Sequence, residues 1–251
     1  MHPRTIDVLG VPVAVVGTED VLRFVRERME RRLPAQIVTV NAEFVVLARH
    51  NEEFARVLRE ADLSTPDSYL IVRAMRAAGA DLAARVGGSD LIWQISAQAA
   101  TKGFRPFLLG GAEGVAASAA ARLQHRYPGL VVAGTYSGSP DPREEGFIVD
   151  LIRRSRADIL FVAFGAPDQD IWIARTLRET GVVIAVGVGG SFDYVSGRVR
   201  RAPVWMRERG LEWLWRLALQ PWRWRRMLAL PQFIWLTWRN RAAARQEERI
   251  K

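Results

Sequence analysis

The chain has 251 residues, enough to bury one large core with or without an appendage. Its hydrophobic fraction of 49% is that of a globular chain, and the absence of cysteine excludes a disulfide framework, a thiolate nucleophile and any cysteine-based metal site. The formal net charge of +9 requires an anionic partner: nucleic acid, anionic lipid or a phosphorylated substrate.

The first residues carry no charged stretch followed by an apolar one, so no secretion signal is read and a cytoplasmic location is expected. Thr5 to Val16 alternates around Gly10-Val11-Pro12 as a small hairpin. Thr18-Glu19-Asp20 caps a helix reaching about Arg32, with acids in its first turn. Gln36 to Asn41 is a buried strand ending in polar Thr39 and Asn41, and one helix follows from Ala42 to about Glu60. Ala61 to Thr65 is the next strand; Pro66, which has no N–H to donate, stops it, and Ser68 to Ala78 is helical. Arg85-Val86-Gly87-Gly88 leads to a helix capped by Ser89.

From Gly103 onward strands and helices alternate regularly. The strands are Arg105–Leu109, Leu130–Tyr136, Ile159–Phe164 and Val182–Val188. The helices are Val115–Tyr127, Glu144–Arg156 and Gln169–Glu179. This alternation predicts right-handed βαβ units and an α/β, Rossmann-like, mostly parallel sheet flanked by helices over residues 1–197. Residues 198–251 then form a basic, Trp-rich helical appendage. Seven of the nine tryptophans lie beyond residue 200, and Arg198 to Arg226 holds nine arginines against Glu208 and Glu212.

Polar and glycine residues gather at the predicted strand ends, the edge where open α/β sheets bind ligands: Thr39, Asn41, Asp67, Gly110, Gly111, Gln169 and Asp193. Two readings of Asp67 stand side by side. It is either the cap of the following helix or a carboxylate presented to a ligand. Gly110-Gly111-Ala112-Glu113-Gly114 lacks the dinucleotide fingerprint spacing and is either an ordinary turn or a backbone cradle for a phosphate or nucleotide. Asp168-Gln169-Asp170 spells an acid-x-acid metal pattern, or simply acids at a helix start. His2, His50 and His125 are too scattered to suggest a metal cluster.

The tail admits three uses: an RNA-binding patch of arginines and stacking aromatics, a membrane-surface segment, or a Trp-rich core helix with a solvated Arg face. A membrane span is not expected, because Leu228–Trp238 is short and interrupted by Pro231 and Gln232.

Taken together, several stretches resemble the WecG/TagA/CpsF family of bacterial glycosyltransferases. They are Thr39-Val40-Asn41, Ala61-Asp62-Leu63 with Pro66-Asp67, Arg85-Val86 with Gly88-Ser89-Asp90-Leu91, Gly165-Ala166-Pro167 with Gln169, Phe192-Asp193 with Gly197, and Arg201-Ala202-Pro203 with Gly210-Leu211-Glu212-Trp213 and Arg216-Leu217. They occur in the family's order across nearly the whole chain. The resemblance implies an inverting, metal-independent enzyme without a cofactor. It would move a sugar from a UDP-sugar donor to a polyprenyl-diphosphate-linked saccharide acceptor at the inner membrane face. It further implies Asp67 as general base, with Thr39, Arg85 and Gln169 shaping the catalytic pocket. Asn41 and Asp193 would contact the nucleotide, and Arg216, Arg223 and Arg226 would close over the diphosphate.

An anionic membrane surface is then the expected partner and nucleic acid is not; a nucleotide- or RNA-binding module gripping phosphates with the basic tail is the alternative, and a homo-oligomer is left open. Three residues depart from the family's pattern: Ser68 where Gly is frequent, Asp170 where Glu is usual, and Gln220 where Glu is usual.

Overall fold

The computed structural model describes residues 3–81 and 85–250, with side chains described as far as Asn240. Met1-His2 at the chain start and Lys251 at the end of the expected appendage lie outside the described residues.

Strands β1 (Thr5–Val8) and β2 (Val11–Ala14) form the expected antiparallel hairpin. The main sheet has six parallel strands: β3 (Ala35–Val40), β4 (Leu63–Pro66), β5 (Pro106–Gly110), β6 (Gly134–Tyr136), β7 (Ile159–Ala163) and β8 (Ile184–Gly187). Their order is β4-β3-β8-β7-β5-β6. Every residue of β3 is buried, because helices cover both faces of a parallel sheet.

Alternation sorts the strand side chains. Ile37, Ile184, Val186 and Phe161 enter the layer beneath α1 (Thr18–Arg31), α5 (Gly88–Lys102) and α6 (Val115–Arg126). Leu160, Val162 and Ala185 face α7 (Pro142–Ser155) and α8 (Asp168–Thr180), where Trp172 is buried. Val38 and Val40 meet Phe44 of α2 (Ala42–Ala48), Phe54 of α3 (Glu52–Glu60) and Ile71 and Met75 of α4 (Tyr69–Ala77). This is the α/β, Rossmann-like architecture expected from the alternating pattern.

Several local expectations are corrected. The helix expected over Ala42–Glu60 is two helices, because the Asn51 side chain accepts from Phe54 N and starts a new one. Pro66 is the last residue of β4 rather than its stop, since pairing with Val40 there needs no proline N–H. The α1 cap is Gly17, whose N–H donates to Asp20 at 2.9 Å. Gly87 rather than Ser89 stands at the start of α5, and Ser89 lies inside its first turn. The strand expected over Leu130–Tyr136 shortens to three residues.

Beyond β8 come α9 (Ser191–Val195), α10 (Val204–Glu208), α11 (Glu212–Leu219), a 3₁₀ turn (Pro221–Arg223), α12 (Trp224–Met227) and α13 (Ala229–Ile250). Pro231 does not interrupt α13, because it sits in the first turn, where its missing N–H has no intrahelical partner to lose. Ala229 and Phe233 pack α13 into the same apolar cluster as α2. Among the described residues no helix is long and apolar enough to cross a membrane. The core-helix reading of the tryptophans fails: Trp205, Trp222, Trp224, Trp235 and Trp238 are all exposed, Trp222 at 71%.

The helix break at Asn51 predicts that Asn51→Ala lowers the unfolding free energy by about 1 kcal/mol through loss of the cap. Urea denaturation measures this; no loss would mean that the side-chain cap adds nothing at that break.

Candidate active site

A cavity of about 330 Å³ opens at the carboxyl ends of β3, β4 and β8, with α11, α12 and α13 forming its far wall. It brings together Thr39, Asn41, Asp67, Arg85, Gln169, Arg216, Arg223 and Arg226, eight of the residues expected from sequence. Gly111 and Asp193 line a second cavity of about 440 Å³, which shares Gly189, Gly190, Arg223 and Arg226 with the first. Gly110 lines neither of them. At φ +95° a Cβ on Gly110 would press on the Ala163 backbone and the Phe164 ring, so packing alone accounts for that glycine.

Asp67 is held by backbone on both sides. Its N–H donates to Val40 O at 2.8 Å, and Val86 N donates to Pro66 O at 2.8 Å. The helix after it is capped by Ser68, whose Oγ accepts from Ile71 N at 3.3 Å. The cap reading of Asp67 is thereby excluded, and its carboxylate is turned to the cavity with 24% of the side chain accessible. Arg85 approaches from the loop before α5: Nη1 lies 3.3 Å from Asp67 O and 3.4 Å from Asp67 Oδ1. Gly87 lies against the carboxylate so closely that a Cβ there would collide with Asp67 Oδ1.

Burial pushes the Asp67 carboxyl up; Arg85 and Arg201 oppose this, while Glu212 and Asp90 reinforce it, and the result is about 7. A carboxyl poised there exchanges a proton near neutral pH.

Three guanidinium groups face it across the cavity. Arg216 lies over the Tyr194 ring, 5.0 Å from its centroid, and Nη2 donates to Gly190 O at 3.4 Å. Arg226 makes a bidentate pair with Glu43, at 2.6 and 2.9 Å. Arg223 Nε is buried without a hydrogen-bond acceptor. Burial, then repulsion from Arg216 and Arg226, holds Arg223 down to about 10. The guanidinium remains charged at neutral pH, so the cluster suits an anion with several oxygens.

Comparison with known proteins bears on this arrangement. Residues 6–247 match the glycosyl transferase WecG/TagA/CpsF family. The chain belongs to that family. Two relatives are named N-acetylglucosaminyldiphosphoundecaprenol N-acetyl-beta-D-mannosaminyltransferase. The one from Bacillus spizizenii strain W23 is 36% identical over 206 residues, 82% of this chain and 79% of the relative. The one from Bacillus subtilis strain 168 is 33% identical over 205 residues, with the same shares covered.

This member of the WecG/TagA/CpsF family is therefore a glycosyltransferase. Its departures from the family pattern acquire physical content. Ser68, where Gly is frequent, adds the α4 cap. Gln220 is nearly buried and accepts from Arg216 Nε at 3.4 Å, so an amide oxygen fixes that arginine where a carboxylate is usual.

Gln169 ties two loops together, its Oε1 accepting from Gly165 N at 3.2 Å and Gly189 N at 2.9 Å. Its Nε2 donates to Asp170 Oδ2 at 3.2 Å, which fixes the direction of the amide. Thr39 Oγ1 donates to Gly187 O at 3.2 Å, and Asn41 Oδ1 caps α2 by accepting from Phe44 N. Asp168 is exposed and Asp170 is buried, so the acid-x-acid pair offers no common face to a cation. The sequence pattern did not single out Glu43, Tyr194, Arg201 or Glu212 as site residues. For Glu212 a signal was present: it is one of only two acids in a run of nine arginines.

Burial pushes Asp170 up to about 7, against the pull of its bond with Gln169. A carboxyl raised above its unfolded value of 3.8 stabilises the fold at low pH and loses that contribution as pH rises toward and through 7. Asp170→Asn should therefore flatten the decline of unfolding free energy between pH 5 and 7, by on the order of 1–2 kcal/mol. Parallel declines in variant and parent, followed by denaturant titration, would show that Asp170 is ionised in the fold.

Proposed function

We propose that the protein is an inverting glycosyltransferase that transfers an N-acetylmannosamine-type sugar from a UDP-sugar to a polyprenyl-diphosphate-linked saccharide, with Asp67 as general base. The observation that carries this reading is the pairing of a carboxyl at about 7 with a half-buried guanidinium cluster across one cavity. The relatives' names supply the transferred sugar and the lipid diphosphate acceptor, and the family resemblance supplies UDP.

A sugar hydroxyl is a poor nucleophile at neutral pH. A carboxylate within hydrogen-bond reach removes its proton as the new bond forms, and a base with a pKa near the operating pH does this best. Attack on the face opposite the departing diphosphate inverts the anomeric centre, so one base suffices. The leaving group gathers negative charge that fixed cations must meet in a site sheltered from water. Arg216 and Arg223 supply positive charge, Arg226 shares its charge with Glu43, and Arg223 Nε has a donor to spare. In this reading residues 198–251 form a lid that provides the leaving-group cations, and residues 1–197 provide the base.

The same segment suits a lipid surface. Trp205, Trp222, Trp224, Trp235 and Trp238 are exposed among arginines, the composition of an interfacial anchor on anionic headgroups. The protein would then act as a peripheral enzyme of the inner membrane face, where a polyprenyl-linked acceptor resides.

Two outcomes are expected. Asp67→Asn should bind UDP as the parent does and lose at least about 100-fold in turnover, measured by UDP release with a short-chain lipid diphosphate-sugar acceptor; undiminished turnover refutes the base assignment. Trp222→Ser combined with Trp238→Ser should weaken co-sedimentation with anionic liposomes at physiological salt. Vesicle binding that survives this change, or steeply salt-dependent binding to RNA with none to vesicles, would overturn the membrane assignment.

A further inference from the structure

Five charged groups lie around the base, and their pairing is unequal. Arg85 belongs to the loop before α5 and Asp90 to α5, while Arg201 and Glu212 come from the C-terminal segment; Arg207 of α10 also lines the cavity. Arg85 Nη2 donates to Glu212 Oε2 at 2.9 Å, a full charge-assisted bond. The same guanidinium reaches Asp90 Oδ2 and Asp67 Oδ1 only at 3.4 Å each. Arg201 holds the rest of the ring, with Nε donating to Glu212 Oε1 at 3.0 Å and Nη2 to Asp90 Oδ2 at 2.8 Å. Three carboxylates thus share two guanidinium groups. Asp90 and Glu212 take the short bonds, and Asp67 is left under-compensated.

We infer that Glu212 is a positioning residue for the base: by drawing the Arg85 guanidinium toward the C-terminal segment, it keeps Asp67 from being locked in a tight ion pair, and it does so only while that segment is seated on the sheet. The inference rests on the reading of Asp67 as the base. It assigns Glu212 a task distinct from the arginines that face the leaving group. The cationic wall and the residue that draws Arg85 away from the base arrive on the same stretch of chain, so seating that segment supplies both at once.

The electrostatics agree in sign. Glu212 and Asp90 push the Asp67 carboxyl up, and Arg85 and Arg201 pull it down. Removing the charge of Glu212 therefore lowers it twice, by losing a repulsion and by releasing Arg85. Removing the charge of Arg201 raises it.

The test uses the full chain and the pH dependence of turnover. Glu212→Gln should move the acid limb down by about one pH unit and lower the alkaline plateau, because a weaker base accepts the proton less well. Arg201→Gln should move the limb the opposite way. If turnover falls in both variants while neither limb moves, the two residues only hold the segment in place and the inference is overturned; unchanged profiles overturn it as well. Should Glu212→Gln fail to fold, the upward shift in Arg201→Gln decides, and its absence counts against the proposal. Asp67→Asn assayed in parallel separates the two levels. Full turnover there removes the base itself, whereas a dead Asp67→Asn with unmoved limbs removes only the role of Glu212.

Discussion

The charge balance around Arg85 is the constraint on which the rest of the site depends. A buried guanidinium beside a single carboxylate forms a closed pair and holds that carboxylate ionised well below neutral pH. Here the guanidinium is divided among Asp67, Asp90 and Glu212, and the shortest bond goes to Glu212. Burial then dominates at Asp67 and lifts its carboxyl to about 7. The shift is made from ordinary parts, by withholding a partner that stands within 3.4 Å.

The sheet explains why these groups meet. Parallel strands all deliver their carboxyl ends to one edge, so Asn41 after β3, Asp67 after β4, Gln169 after β7 and Gly189 after β8 converge although they are far apart in sequence. Gln169 accepts from Gly165 N and Gly189 N and so holds two of these loops at a set spacing. The C-terminal helices close the arrangement: Ala229 and Phe233 seat α13 in the cluster that contains Phe44 of α2, the helix capped by Asn41. Glu43 on that helix meets Arg226. The cavity arginines and the polar strand ends are thus linked through α2.

Much of this was legible in the sequence. Apolar strands alternating with amphipathic helices specify a parallel sheet, and polar residues at strand ends mark its ligand edge, which is why Thr39, Asn41, Asp67 and Gln169 fall in one cavity, while Arg85, Arg216, Arg223 and Arg226 were expected there only from the family resemblance. What escaped was local or three-dimensional. Whether Asp67 or Ser68 caps α4 turns on a single hydrogen bond that two adjacent good caps leave ambiguous. The break at Asn51 lies in the polar run Arg49-His50-Asn51-Glu52-Glu53, which reads equally as a loop or as the solvent face of one continuous helix. Glu212 lies 127 residues from Arg85, and no spacing rule reports a bond between them. Burial separates Asp168 from Asp170, and a pattern written in residue types is blind to it.

The contact of Asp67 with Gly87 has a further consequence. A methyl there would occupy the space of the carboxylate oxygen, so any side chain at that position has to displace Asp67 from its place. Gly187 stands in the same relation to Asp170. The two acids therefore each rest on one side against bare main chain, which no rotamer change can draw aside. A drifting or engineered sequence can trade the surrounding arginines and so retune the acids, but it cannot widen their seats. Variation that survives in this fold should accumulate around these two glycines and skip them.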